Sequence, residues 1–147
     1  MREILFRGKR IDNGKWIEGA FLNDRGGAFY ICPSVSDITY GDNGNRRRIG
    51  CWYKVDPSTV GQFTGLYDKN GKKVFEGDIV VCSQEINGNW IDFHIETGFV
   101  EMKHGAFGLH RKQGYYRPFK DWLENYEYEV IGNIHDKRSC WRAKWNS

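Results

Sequence analysis

Apolar and polar residues in this chain alternate in short runs, and glycine, asparagine and aspartate separate the runs, which is the pattern of a mainly β protein. Ile4 and Phe6, then Trp16, Ile17 and Phe21, flank Asn13-Gly14; Val60, Phe63 and Leu66, then Val74, Phe75, Ile79, Val80 and Val81, flank Asn70-Gly71. A two-residue hairpin turn requires positive φ at its centre, which Asn-Gly tolerates well, so both sites are predicted as tight hairpin turns. The two hairpins also share a plan. Phe6, Gly8, Asn13, Gly14 and Lys15 have the mutual spacing of Phe63, Gly65, Asn70, Gly71 and Lys72, and a Glu-Gly pair follows each set, at Glu18-Gly19 and at Glu76-Gly77 with one extra residue.

The same rules predict strands over 2–9, 15–22, 28–32, 51–55, 60–67, 72–76, 78–84, 90–96, 99–103, 106–111 and 128–134. Residues 33 to 50, with Pro33, Ser34, Ser36 and the run Gly41-Asp42-Asn43-Gly44-Asn45, read as a long polar loop. One segment has helical spacing: Phe119, Trp122, Leu123 and Tyr126 recur at i, i+3, i+4 and i+7 after Pro118, which suits a first helical turn. A final helical turn near 136 to 145 is a weaker expectation. After Gly77-Asp78-Ile79-Val80-Val81, an Asn87-Gly88 turn, two more strands and the closing Glu129-Val130-Ile131-Gly132 resemble a small SH3-like barrel in strand count and turn placement. The expected organisation is an N-terminal β subdomain over 1–56, a barrel-like subdomain over 57–135 and a basic, aromatic tail over 136–147.

Specific residues carry a family resemblance. Ile4-Leu5-Phe6-Arg7-Gly8-Lys9, Trp16-Ile17-Glu18-Gly19, and above all Val60-Gly61-Gln62-Phe63-Thr64-Gly65-Leu66 leading into Phe75-Glu76-Gly77-Asp78-Ile79-Val80 resemble the YopX family. Gly98-Phe99-Val100, Gly105-Ala106-Phe107 and Glu129-Val130-Ile131-Gly132-Asn133-Ile134 extend the likeness in order along most of the chain. The resemblance implies a small phage or prophage protein of mainly β fold, from a family without an established activity, so it supplies no catalytic residue. The chain departs from the family pattern over 33–56 and after His135. Where the family closes on an acidic, proline-containing segment, this chain has the basic and aromatic Asp136-Lys137-Arg138-Ser139-Cys140-Trp141-Arg142.

A chain of 147 residues suffices for one domain or two fused halves with a real core. Its 6 Trp, 8 Tyr and 9 Phe favour strands and offer large contact areas. No stretch approaches the ~20 apolar residues of a membrane span, and no signal-peptide core follows Met1, so the expected location is the cytoplasm. Cys32, Cys51, Cys82 and Cys140 lack the pairing of a zinc ribbon and are expected as free thiols, with Cys82 in or near the core.

Candidate chemistry is sparse. Strand alternation over 90–96 places Asp92, His94 and Glu96 on one face, a row that suits a divalent metal, although a solvated strand face explains the same three residues more simply. There is no Gly-x-Ser-x-Gly elbow and no phosphate loop, and Asp68-Lys69-Asn70-Gly71 lacks the spacing of a calcium loop. The expectation is a protein without catalytic residues or cofactor.

Binding has more support. A net charge of +3 excludes a global cationic field, but charge is clustered beside aromatic residues. Arg46, Arg47 and Arg48 precede Trp52; Arg111 and Lys112 precede Tyr115, Tyr116 and Arg117; Lys137, Arg138, Trp141, Arg142, Lys144 and Trp145 fill the tail. Arginine and lysine pair phosphates and aromatic rings stack bases, so these residues are candidates for a nucleic-acid surface if they share a face. A host protein is the competing ligand, and the aromatic tail suits docking on a second copy of the chain.

Overall fold

The computed structural model describes residues 3–33, 38–40, 47–49, 52–86, 88–92, 97–111, 116–119 and 126–136; for 38–40, 47–49, 84–86, 90–92 and 126 it describes the backbone alone. Among these residues the chain is almost entirely antiparallel β structure, relieved by a 3-10 turn at Pro57–Thr59. It divides into two compact units, Met1–Phe63 and Thr64–Ser147.

The first unit contains β1 (Phe6–Lys9), β2 (Trp16–Asn23), β3 (Phe29–Cys32), β4 (Ile38–Tyr40), β5 (Arg47–Ile49), β6 (Tyr53–Val55) and the start of β7 (Gly61–Tyr67). Its main sheet has the order β6-β3-β2-β1, with the first residues of β7 alongside β1. Lys9 stands opposite Trp16, Arg7 opposite Glu18 and Phe6 opposite Gly19. The inner face follows from that register. Phe6, Phe21 and Phe29 pack ring against ring at 5.1 Å, and Ile31 and Val55 are fully buried beside them. Gly8 faces Val55 and Ile31 at distances that leave little room for a side chain. At one end β6 turns back toward β1: Arg10 bridges Val55, and the Asp56 N–H donates to the Lys9 carbonyl.

Glycine admits a close backbone neighbour at three places. A Cβ on Gly19 would lie 1.8 Å from the Cys32 carbonyl oxygen and 2.8 Å from the Pro33 Cα, so the chain leaving β3 crosses where a side chain would stand. A Cβ on Gly98 or Gly108 would likewise lie 2.5 or 2.4 Å from the carbonyl oxygen of His110 or Arg117.

The second unit takes the rest of β7, with β8 (Lys73–Phe75) beside it, then β9 (Asp78–Ile86), β10 (Asn89–Asp92), β11 (Gly98–Lys103), β12 (Ala106–Arg111), β13 (Tyr116–Pro118) and β14 (Tyr126–Asn133). β9 is the organising strand. β14 pairs along almost its whole length, while its other edge is taken by β11 at Ile79 and Val80 and by β10 from Ser83 to Ile86. β12 and β13 extend the sheet beyond β11. Val74, Val80, Cys82, Val100, Leu109 and Phe119 form the core, with Leu66, Phe107, Tyr128 and Val130 packed against it.

The Phe75-Glu76-Gly77-Asp78 turn that carries the family resemblance is a structural junction. The Asp78 carboxylate is buried and accepts the Phe75 N–H, the Gly77 N–H donates to Val100, and the Gly77 carbonyl accepts the Ile134 N–H. Gly77 has φ +88 and His135 lies against it, so only glycine fits without strain.

Several expectations need correction. No closed barrel forms among the described residues: β13 pairs β12 alone and β14 pairs β9 alone, so the sheet ends do not meet. The ends of the expected helix are strands, since Pro118 closes β13 and Tyr126 opens β14; residues 120–125 lie outside the described set. Pro118 is tolerated because β13 is an edge strand. The polar loop over 33–50 contains a small hairpin, β4 with β5, in which Thr39 faces Arg48 and Tyr40 faces Arg47. The tight turns also differ from expectation. Arg10 and Lys15 close a four-residue loop and Asp68 and Lys72 a three-residue one, and positive φ occurs at Gly14 and Gly71 but at neither asparagine. Two-residue turns occur instead between β9 and β10, where Gly88 has φ +81, and at His104-Gly105, both of positive φ.

Candidate functional site

The outer face of the first unit's sheet is built on β1 and β2. Phe6 and Gly8 point inward, so Arg7 and Lys9 point outward, and the opposed Trp16 joins them. The Arg7 guanidinium lies 4.7 Å and the Lys9 ammonium 5.4 Å from the Trp16 ring. Such cation–π interactions contribute about 0.5–1 kcal/mol at an exposed site and about 2 kcal/mol when desolvated. Arg7 is buried and Lys9 is half-exposed. Further across the face stand Tyr30 and, opposite it, the exposed Lys54, with the exposed Glu18 as the carboxylate among these positions. On the inner side Arg10 covers the Tyr53 ring at 4.0 Å and pairs with Asp12, and that hydrogen bond holds the Asp12 carboxyl below its ordinary value.

In the second unit the outer face of β11, β12 and β13 carries Phe99, His110 and Tyr116 in one cross-strand row. Phe99 and His110 stack at 4.8 Å with 19° between planes. Glu101 meets His110 Nδ1 at 3.2 Å. The Tyr116 ring lies over Gly108, and its hydroxyl donates to the Ala106 carbonyl at 2.5 Å. Burial, and then the charge of Glu101, raise the Tyr116 phenol above its ordinary value, so it stays a donor.

The sequence candidates are distributed as follows. Arg47 and Arg48 sit in β5, and Trp52 is half-buried just before β6, all in the first unit. Arg111, Tyr116 and Arg117 belong to the second unit, but they do not share a face. Arg117 opposes the buried Leu109 and Arg111 follows it by two, whereas Tyr116 opposes His110 on the outer side. Arg46, Lys112, Tyr115 and residues 137–147 lie outside the described residues. Of the metal row, Asp92 ends β10 while His94 and Glu96 lie outside the described set, and no group of three metal-ligating residues occurs among those described. Cys82 is in the core as expected, and Cys32 is likewise buried. No helix among the described residues is long and apolar enough to cross a membrane.

Sequence reasoning missed Arg7, Lys9 and Trp16 on one side and Phe99, His110 and Glu101 on the other. The signal for the first group was the alternation in Phe6-Arg7-Gly8-Lys9, which puts two cations on the face away from the glycine.

Two antiparallel units with hairpin-built sheets, and outer faces that combine cations with aromatic rings, define a small all-β protein organised around surfaces. The chain belongs to the YopX family, whose model, described as YopX protein, matches residues 5–139. It is similar in fold to the crystal structure of protein EF1440 from Enterococcus faecalis, at 21% identity and a TM-score of 0.59, over 95% of this chain and 99% of that one. No curated protein matches it.

Proposed function

We propose that this protein is a non-catalytic binding module for single-stranded nucleic acid, engaged through the outer face of its first unit. The observation that carries this reading is the segregation of charge. Residues 1–63 hold ten Lys and Arg against seven Asp and Glu, while residues 64–147 hold twelve of each, so the whole net charge of +3 falls to the first unit. There it accompanies the Arg7-Trp16-Lys9 stack, Tyr30 with Lys54, and the arginines of β5. Lys9 and Lys54, beside the half-buried rings of Trp16 and Tyr30, offer what a flexible strand uses, with phosphates on the charges and bases on the rings. Encoded by a phage or prophage, as the family resemblance implied, such a module would act in the host cytoplasm.

Fluorescence anisotropy with labelled single- and double-stranded oligonucleotides at two salt concentrations tests the reading. The expected result is salt-sensitive binding with the single strand preferred. In the combined variant Arg46→Ala, Arg47→Ala, Arg48→Ala, affinity falls and the slope of log K against log salt becomes shallower by about 2, near 0.7 for each single-strand phosphate that the variant no longer neutralises. An unchanged slope removes β5 from the surface. No binding at low salt overturns the nucleic-acid reading and leaves a host protein, or a second copy of the chain, as the partner.

A further inference from the structure

We infer that Arg10 is a phosphate-binding residue whose seat is held by Asp12, so that an internal carboxylate gates one backbone contact of the nucleic-acid surface. The inference rests on the nucleic-acid reading above and adds to it a regulated contact at the end of the same sheet. Arg10 follows β1 directly, where β1 and β6 meet: it bridges Val55, and the next N–H, that of Ile11, donates to the Lys54 carbonyl. Arg10 is thus one residue along from Lys9, and its partner Val55 one residue along from Lys54, the two cations that the outer face offers.

The guanidinium is already arranged as an anion site. It lies 4.0 Å from the centroid of the Tyr53 ring, which fixes its plane. Its Nε donates to Asp12 Oδ1 at 2.9 Å and its Nη2 donates to Asp12 Oδ2. That two-pronged fork is also the geometry with which arginine takes two oxygens of a phosphate, so the Asp12 carboxylate stands in for a phosphodiester. The loop does not need the ion pair to close. The Gly14 N–H donates to the Arg10 carbonyl, the Arg10 N–H to the Lys15 carbonyl, and the Lys15 N–H to Asn13 Oδ1, all without the Asp12 side chain. The Asp12 side chain is 62% exposed against 24% for Arg10, so the carboxylate can rotate into water while the guanidinium stays on its ring. Exposed ion pairs are weak, and this one competes with a phosphate because a tether of two residues keeps the carboxylate close.

The test is a double-mutant cycle by fluorescence anisotropy, with full-length protein and a labelled single strand of about ten nucleotides. Asp12→Asn should raise affinity about three- to fivefold, the factor by which an exposed ion pair of ordinary strength occupies its cation. The slope of log K against log salt should steepen by about 0.7, for one more single-strand phosphate neutralised. With Arg10→Gln already in place, the same Asp12→Asn change should alter affinity by less than about 1.5-fold, because the remaining charge of Asp12 acts only through screened solvent. Equal gains in the two backgrounds would show that Asp12 merely repels the strand, and no gain in either would show that it holds no seat; each result overturns the inference and leaves phosphate binding by Lys9 and Lys54 intact. If neither wild-type protein nor Asp12→Asn binds the strand at low salt, the nucleic-acid reading falls. The seat is then decided by NMR titration of Asp12→Asn with inorganic phosphate: a shifted Arg10 Nε–H signal upholds it, and an unmoved one overturns it.

Discussion

Gly19→Ala should strongly destabilise the first unit. The added methyl would sit 1.8 Å from the Cys32 carbonyl oxygen, and the next atoms it meets are the Cys32 carbonyl carbon and the Pro33 Cα. All three are backbone, so no side-chain rotation relieves the overlap. Either β2 separates from β3 or the chain after Cys32 lifts away, and Ile31 and Val55 lose packing in both cases. Overpacking in a compliant core costs about 1–3 kcal/mol, and an overlap with main chain belongs at or above the top of that range. Thermal unfolding should show a midpoint lowered by roughly 10 °C, at ~2–4 °C for each kcal/mol in a chain of this size. Gly26→Ala is the control, because that exposed turn residue has Asp24 Oδ1 at 3.4 Å as its nearest neighbour. It should unfold within about 0.5 kcal/mol of wild type, and a Gly19→Ala protein as stable as this control would show that the crossing over Gly19 is not fixed.

Much of this fold is legible in the sequence. Alternation placed strands near β1, β2, β3, β7 and β9, and a valine- and isoleucine-rich run correctly put Cys82 in the core. The hairpin β4–β5 was hidden because three-residue strands, Ile38–Tyr40 and Arg47–Ile49, are too short to show alternation against a polar background. Of the helix expected over 118–126, Pro118 closes β13, Phe119 is buried and Tyr126 opens β14, while Trp122 and Leu123 lie outside the described residues.

The candidate surfaces were less legible, and loop length is the reason. A two-residue turn at Asn13-Gly14 would set Lys9 opposite Glu18 and suggest an ion pair. The four-residue loop closed by Arg10 and Lys15 shifts the partner by two, so Lys9 meets Trp16 and Arg7 meets Glu18. The faces are preserved by a shift of two, but the chemistry across the strands is not. Similarly, Tyr115, Tyr116 and Arg117 look like one basic-aromatic cluster in the sequence. Strand alternation sends Tyr116 to the outer row with His110 and Arg117 to the side of Leu109. Adjacent residues on a strand rarely build one site, whereas residues on three strands, such as Phe99, His110 and Tyr116, can do so only once register is known.

The loop at Asp68 shows how a turn is tied into the second unit, and it predicts a pH dependence. Asp68 is buried; its Oδ1 accepts the N–H groups of Asn70 and Lys72 at 2.9 and 2.8 Å, and its Oδ2 accepts that of Val130 on β14 at 3.1 Å. Next to it the Lys69 N–H donates to Tyr128, and Lys69 pairs with Glu129 at the surface. Burial alone would raise the Asp68 pKa, but the three backbone N–H groups, aided by the charge of Lys72, outweigh burial and hold it below its ordinary value. A carboxyl with a lowered folded-state pKa contributes stability that is present above its unfolded value of about 3.9 and is lost as pH falls through the folded value. Asp68→Asn replaces one carboxylate oxygen by a donor facing backbone N–H groups, so it should cost about 2 kcal/mol at pH 7, read from urea midpoints. The gap between wild type and variant should narrow as pH falls below about 4, because protonation then removes the wild-type charge as well. Wild type and Asp68→Asn separated by the same amount at pH 7 and pH 3 would show that the charge of Asp68 does not hold the loop to β14.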